Sequence, residues 1–264
     1  MTTLIEVFDG TSWRVQAAPT IKRLSSLYSV SCPSASSCTA VGFYHASGGT
    51  TRAMVERWNG KTWRLQAIPQ AAKSTELLGV SCPTTHACTA VGERSSPTGN
   101  ARPLAESWNG KKWSVEILPL PNGAPGGVLG AVSCTSPSAC TATGTDFDGR
   151  GPSLAERWNG KRWRVQATPN PADYKGSFGE VELDGVSCTS ATACAASGEY
   201  SPGGAAAYFV ESWNGRQWRL QATPHPADFA RGALLGIACT SARCTAVGAY
   251  TGHARLQVPL AMAN

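Results

Sequence analysis

Apolar positions in this chain fall in short runs broken by turn residues, and the runs come in sets of four. One set reads Leu77 to Cys82, Cys88 to Gly92, Pro103 to Trp108 and Trp113 to Leu118. Runs this short, punctuated by turn residues, predict β-strands and leave no room for long helices. Asn109-Gly110, between the third and fourth runs, is a strong hairpin signal, because both central residues of a type I′ turn take positive φ. Each set therefore predicts a four-stranded antiparallel unit. Trp108 and Trp113 sit on opposite arms of the hairpin at an even offset, so both rings project from one sheet face, where they are expected to pack between neighbouring units.

The set recurs along the whole chain. The first Cys of each unit is Cys32, Cys82, Cys134, Cys188 or Cys239, at steps of 50, 52, 54 and 51. Between them stand Trp58-Asn59-Gly60 with Trp63, Trp108-Asn109-Gly110 with Trp113, Trp158-Asn159-Gly160 with Trp163, and Trp213-Asn214-Gly215 with Trp218. Phe8-Asp9-Gly10 with Trp13 is a fifth, altered copy. A period near fifty residues marks a repeat architecture, in which neighbouring units bury one another's faces.

The chain begins on strands three and four of a unit (Leu4 to Phe8, Trp13 to Ala17), and its last full pair is strands one and two (Leu235 to Cys239, Cys244 to Gly248). Joining these halves predicts one all-β domain over residues 1–264. The expected fold is a five-bladed β-propeller with four antiparallel strands per blade, its ring closed by N- and C-terminal strands sharing one blade. The tail Leu256 to Leu260 resembles one more third strand and competes with the N-terminal one for that place. With these motifs the sequence resembles the bacterial tandem SCxxxxxCTAVG/WNGxxW repeat proteins and, more distantly, five-bladed lectin propellers. The resemblance covers nearly the whole chain and implies a propeller, with no agreed chemistry.

The ten cysteines pair locally as Cys32/Cys38, Cys82/Cys88, Cys134/Cys140, Cys188/Cys194 and Cys239/Cys244, each pair flanking the turn between strands one and two. Five local disulfides are the favoured reading, with free buried thiols as the alternative. Zinc does not suit the spacing, because four pairs are C-x5-C and no second ligand pair lies in the same unit. Disulfides imply a secreted protein. Yet the N-terminal residues enter a repeat at once with no secretory leader, which implies a cytoplasmic one if Met1 is the native start.

Composition adds boundaries. Hydrophobic residues make up 42% and charged residues 15%, with 28 Gly and 17 Pro, and no apolar run reaches membrane-span length. The net charge of +6 is spread around the repetitive end and outer strands, at residues such as Lys111, Lys112, Lys161, Arg162 and Arg164, so neither a nucleic-acid nor a membrane partner is expected. A monomer without cofactor or metal is expected. The Asp146-Phe147-Asp148-Gly149 segment lacks the downstream ligands of a calcium loop.

No catalytic motif appears, so function is sought where the repeat breaks down. The strand 2–3 and 4–1 connections vary from unit to unit, and they lie at one end of the sheets. There, Tyr28, Tyr44, Arg94, Asp184, Tyr200, Tyr250 and His253 are candidate ligand-binding residues. Glu93, Asp146 and Glu199 are candidate acid–base groups if the protein is an enzyme. Because these loops do not repeat, the expectation is small-molecule or glycan binding in one asymmetric pocket on that face. A cyclase, lyase or hydrolase using the same pocket, or a protein-interaction scaffold, are the alternatives.

Overall fold

The computed structural model describes residues 3–96, 99–121, 124–147, 153–172, 174, 181–201, 205–253 and 257–263. Every regular element among them is a strand. In chain order β1 (Ile5–Phe8) and β2 (Trp13–Gln16) form a two-stranded sheet. β3 (Ser25–Ser34), β4 (Ser37–His45), β5 (Thr51–Trp58) and β6 (Trp63–Leu65) form a four-stranded one, as do β7 (Thr75–Thr84), β8 (Ala87–Ser95), β9 (Ala101–Trp108) and β10 (Trp113–Glu116). Two more follow: β11 (Gly127–Ser136), β12 (Ala139–Asp146), β13 (Ser153–Trp158) and β14 (Trp163–Gln166), then β15 (Val181–Ser190), β16 (Ala193–Tyr200), β17 (Ala207–Trp213) and β18 (Trp218–Gln221). β19 (Phe229–Cys239), β20 (Cys244–Gly252) and β21 (Gln257–Ala263) close the chain as a three-stranded sheet. All pairings are antiparallel.

This corrects the expected count of five blades and the shared closing blade. The described strands form six sheets, because β21 and not β1 pairs with β20, with Met262 opposite Ala246 and Leu260 opposite Gly248. The reason is loop entropy: β21 follows β20 after a short connection, whereas β1 would have to be brought in from the far end of the chain. The N-terminal hairpin keeps the repeat's register on its own, with Phe8 opposite Trp13 and Glu6 opposite Val15.

The repeated residues explain the repeated geometry. The Asn-Gly turns hold four residues between the paired tryptophans. Asn59 Oδ1 accepts hydrogen bonds from the Lys61 and Thr62 amides, and Gly60 supplies a φ of 89°. A β-bulge in strand one brings its backbone against the glycine of strand two, so a Cβ on Gly42 would overlap the Ser26 carbonyl oxygen. All five cysteine pairs are disulfides, with Cα atoms 3.9–4.0 Å apart.

Contacts divide the chain into two compact units, residues 1–116 and 117–264. In the first, Val41, Ala53 and Val55 pack against Leu77, Val80, Leu104 and Trp113 of the following sheet. The Cys82 amide also donates to Ser31 Oγ at 2.9 Å across that interface. In the second, Ala155 packs against Leu183, Phe209 and Trp218, and Tyr208 against Leu234 and Ala246. The expected tryptophan packing is present in the complete hairpins, with Trp63, Trp113, Trp163 and Trp218 at most 7% exposed. Trp13 is the exception at 68%.

Candidate functional site

In the second unit, strands β15, β16 and β17 bring polar side chains to one edge. Glu182 stands opposite Glu199, and Glu199 opposite Tyr208. The bulge between Leu183 and Gly185 frees Asp184 from the strand register. Burial, and then the charge of Glu199, push the Asp184 carboxyl up to about 6, and its Oδ2 is buried with no hydrogen-bond partner among the described residues.

An aromatic array stands on the same face of β17. Tyr208 is fully buried and its hydroxyl donates to the Pro224 carbonyl at 3.0 Å. Its ring meets His225 edge-on at 4.5 Å and Phe229 at 5.2 Å, His225 stacks on Phe229 at 4.2 Å, and Tyr250 extends the row at 6.4 Å. Desolvation, then the Asp228 carboxylate, raise the Tyr250 phenol. The His253 amide donates to the Asp228 carbonyl at 3.0 Å. A Cβ on Gly252 would overlap Asp228 Oδ2, so glycine permits that close approach. The arrangement pairs hydrogen-bond-accepting carboxylates with π-faces, which suits a ligand bearing both hydroxyls and an apolar face.

The structure thus brings Asp184 and Glu199 together and places Tyr250 and His253 beside Asp228. Tyr200, next to Glu199 in sequence, faces the other side of the sheet and packs edge-on against Phe209 at 5.7 Å in the core. Asp146, 8% exposed, lines a different pocket of about 680 Å³ with Leu154, Trp163 and Pro119. In the first unit Glu93 stands opposite Glu76, its carboxyl raised by burial and then by that neighbour. Arg94 stands opposite Thr75 and Arg102, and Tyr44 opposite Ser25 and Arg52. Tyr28, 56% exposed, stacks on Phe43 at 5.7 Å and lines a groove of about 780 Å³ between the β1–β2 hairpin and the β3–β6 sheet. Asp148, Gly149, Asp173, Lys175 and Glu180, which belong to the variable loops, lie outside the described residues.

Sequence reasoning missed Tyr208, His225, Asp228 and Phe229. The one signal was Tyr208 itself, which occupies the strand-three position held by Ala53, Pro103 and Ser153 in the other units. A second set was visible but had no assigned role. Glu56, Glu106, Glu156 and Glu211 are wholly buried opposite Ala40, Ala90, Ala142 and Ala196. Burial raises Glu106, Glu156 and Glu211 to about 8, and Glu56, near the Thr3 hydroxyl, to about 7. Among the described residues, no group of three or more His, Cys, Asp or Glu is placed to hold a metal ion.

No protein-family model matches the chain, and no curated protein matches its sequence. Solved structures do match. The SapL1 lectin in complex with alpha methyl fucoside is similar at a TM-score of 0.56 and 12% identity, over 97% of this chain and 84% of that one. An Aleuria aurantia lectin mutant bound to Fucalpha1-6GlcNAc is similar at 0.53 and 10%, over 97% and 82%. A structure of the same fungal lectin described as a six-bladed β-propeller is similar at 0.51 and 12%, over 95% and 80%. The chain spans 65% of another match, YCF48 bound to D1 peptide, at a TM-score of 0.48 and 13% identity. The sheets are blades of a β-propeller fold. At such identities the likeness establishes fold, and ligand chemistry has to be argued from this chain's own side chains.

Proposed function

We propose that the protein is a carbohydrate-binding β-propeller whose ligand site lies in the second unit, where Asp184 and Glu199 adjoin the row of Tyr208, His225, Phe229 and Tyr250. The observation that carries this reading is the buried Asp184 Oδ2, without a hydrogen-bond partner among the described residues, beside Glu199, which stands opposite Tyr208 of the aromatic row at the variable-loop end. Carboxylates accept hydrogen bonds from sugar hydroxyls, and ring faces cover the C–H face of a pyranose. The fucose complexes of the similar lectins make a methyl fucoside the first ligand to try. Calorimetric titration with alpha methyl fucoside and a panel of monosaccharides is expected to give one site per chain. Asp184→Asn and Phe229→Ala should each weaken binding by about tenfold, or roughly 1–2 kcal/mol. Absence of binding to every sugar, or wild-type affinity in both variants, overturns it.

One observation favours a second reading, an acid–base enzyme. Asp184 and Glu199 form a carboxyl pair in which burial and then the Glu199 charge push the Asp184 carboxyl up to about 6, as a general acid requires. Incubation of a bound sugar with the protein separates the two: unchanged ligand supports the binder, and conversion lost in Asp184→Asn supports the enzyme.

A further inference from the structure

We propose that Asn109 is a self-modifying site, at which the His86 imidazole drives conversion of the asparagine to aspartate through a cyclic imide. The Asn-Gly turns of the four tryptophan hairpins, four of the five Asn-Gly sequences in the chain, provide an internal comparison. In each, the asparagine Oδ1 accepts two backbone amides: at Asn109 from Lys111 and Lys112, both at 3.0 Å, with equivalent pairs at Asn59, Asn159 and Asn214. Two donors on one carbonyl oxygen polarise Cγ and would hold the charge of a tetrahedral adduct, as an oxyanion hole does. Each glycine has φ between 84° and 89°, so the backbone is alike in all four.

What differs is the group resting on the glycine. It is Ser36 at Gly60, Ser138 at Gly160 and Thr192 at Gly215, whereas at Gly110 it is the His86 ring, whose Cδ2 lies 3.2 Å from where a Cβ would stand. Cδ2 is bonded to Nε2. His86 Nδ1 lies 2.8 Å from Thr85 Oγ1; in the tautomer that donates from Nδ1 to this hydroxyl, the Nε2 lone pair is free to act as a general base.

The step balances without an outside oxidant or reductant. Nε2 takes the Gly110 amide proton, and the nitrogen attacks Asn109 Cγ, forming the C–N bond with negative charge on Oδ1. Collapse breaks the Cγ–Nδ2 bond, and Nδ2 leaves as ammonia with the proton returned by the imidazolium. Water then opens the five-membered ring to an aspartate in the same place or to its isoaspartyl isomer. The turn already accepts an aspartate: at the altered copy Asp9 Oδ1 takes the Thr11 and Ser12 amides, each at 2.9 Å. Conversion would lower the net charge from +6 by one, beside Lys111 and Lys112.

The test is peptide mapping of the intact, folded protein after incubation in heavy-oxygen water, which labels only acid formed during the experiment. Asn109 is expected to convert several-fold faster than Asn59, Asn159 and Asn214. His86→Ser, which copies the serine of two sister turns, should bring it to parity. His86→Phe keeps a ring on Gly110 without a base and should do the same. In reduced, denatured chains all four should convert alike. Parity among the four turns in the folded wild type overturns the proposal, and so does an Asn109 excess that survives either substitution in protein that retains its disulfides.

Discussion

The buried strand-three glutamates set the behaviour of this protein at the scale of single residues. A carboxyl whose folded value lies near 8 binds a proton more tightly in the native than in the unfolded chain, where it titrates near 4.5. Stability from this source is complete below the unfolded value and is lost as pH rises through the folded one, the reverse of the usual salt-bridged carboxylate. Denaturant melts at pH 5, 7 and 9 should therefore show falling stability, with Glu106→Gln and Glu211→Gln flattening the slope. The difference expected at pH 9 is on the order of a few kcal/mol per site. Equal slopes in wild type and variants would remove the glutamates as its cause. The sequence displayed the recurrence of Glu56, Glu106, Glu156 and Glu211. It carried no sign that they point into the packing between sheets, because an acid in a strand normally marks the solvent side.

Hairpins and their disulfides are the next scale. Each cysteine bridge closes a loop of five or six residues' separation, so it constrains little of the unfolded chain. Replacing Cys188 and Cys194 together by serine should cost about 2 kcal/mol, read as a lowered thermal midpoint. Their Cα partnership within the β15–β16 register is expected to survive, since the flanking ladder runs from Val181 to Ser190 without them. Loss of β15–β16 amide protection from hydrogen exchange in that variant would show that the bridge holds the pair together. The hairpins were legible because their cause is local: Asn-Gly at fixed spacing, paired tryptophans and the strand-two glycine each act within a few residues. Tyr208 was not, since its partners His225 and Phe229 come from the connection after β18 and the first residue of β19, which carry no periodic signature.

Over the whole molecule the decisive element is the last strand. β21 supplies the outer partner of β20, so removing residues 254–264 should expose that edge, abolish exchange protection of the β20 amides that face β21 while those facing β19 keep theirs, and promote aggregation. Unchanged protection after truncation would mean that another strand takes the place, as a shared closing blade requires. The sequence by itself determined the all-β class, the repeat unit, the cysteine pairing and the variable end. All of these follow from short-range periodicity and turn chemistry. Tertiary structure alone decided that six sheets form and that β21 takes the edge of β20, because strand partners are chosen by competition between near and distant segments. It also decided that Glu199 and Tyr200, neighbours in sequence, serve opposite faces, one beside Asp184 and the other in the core. Which of two faces is buried depends on the sheet packed against it, and that partner lies about one repeat away along the chain.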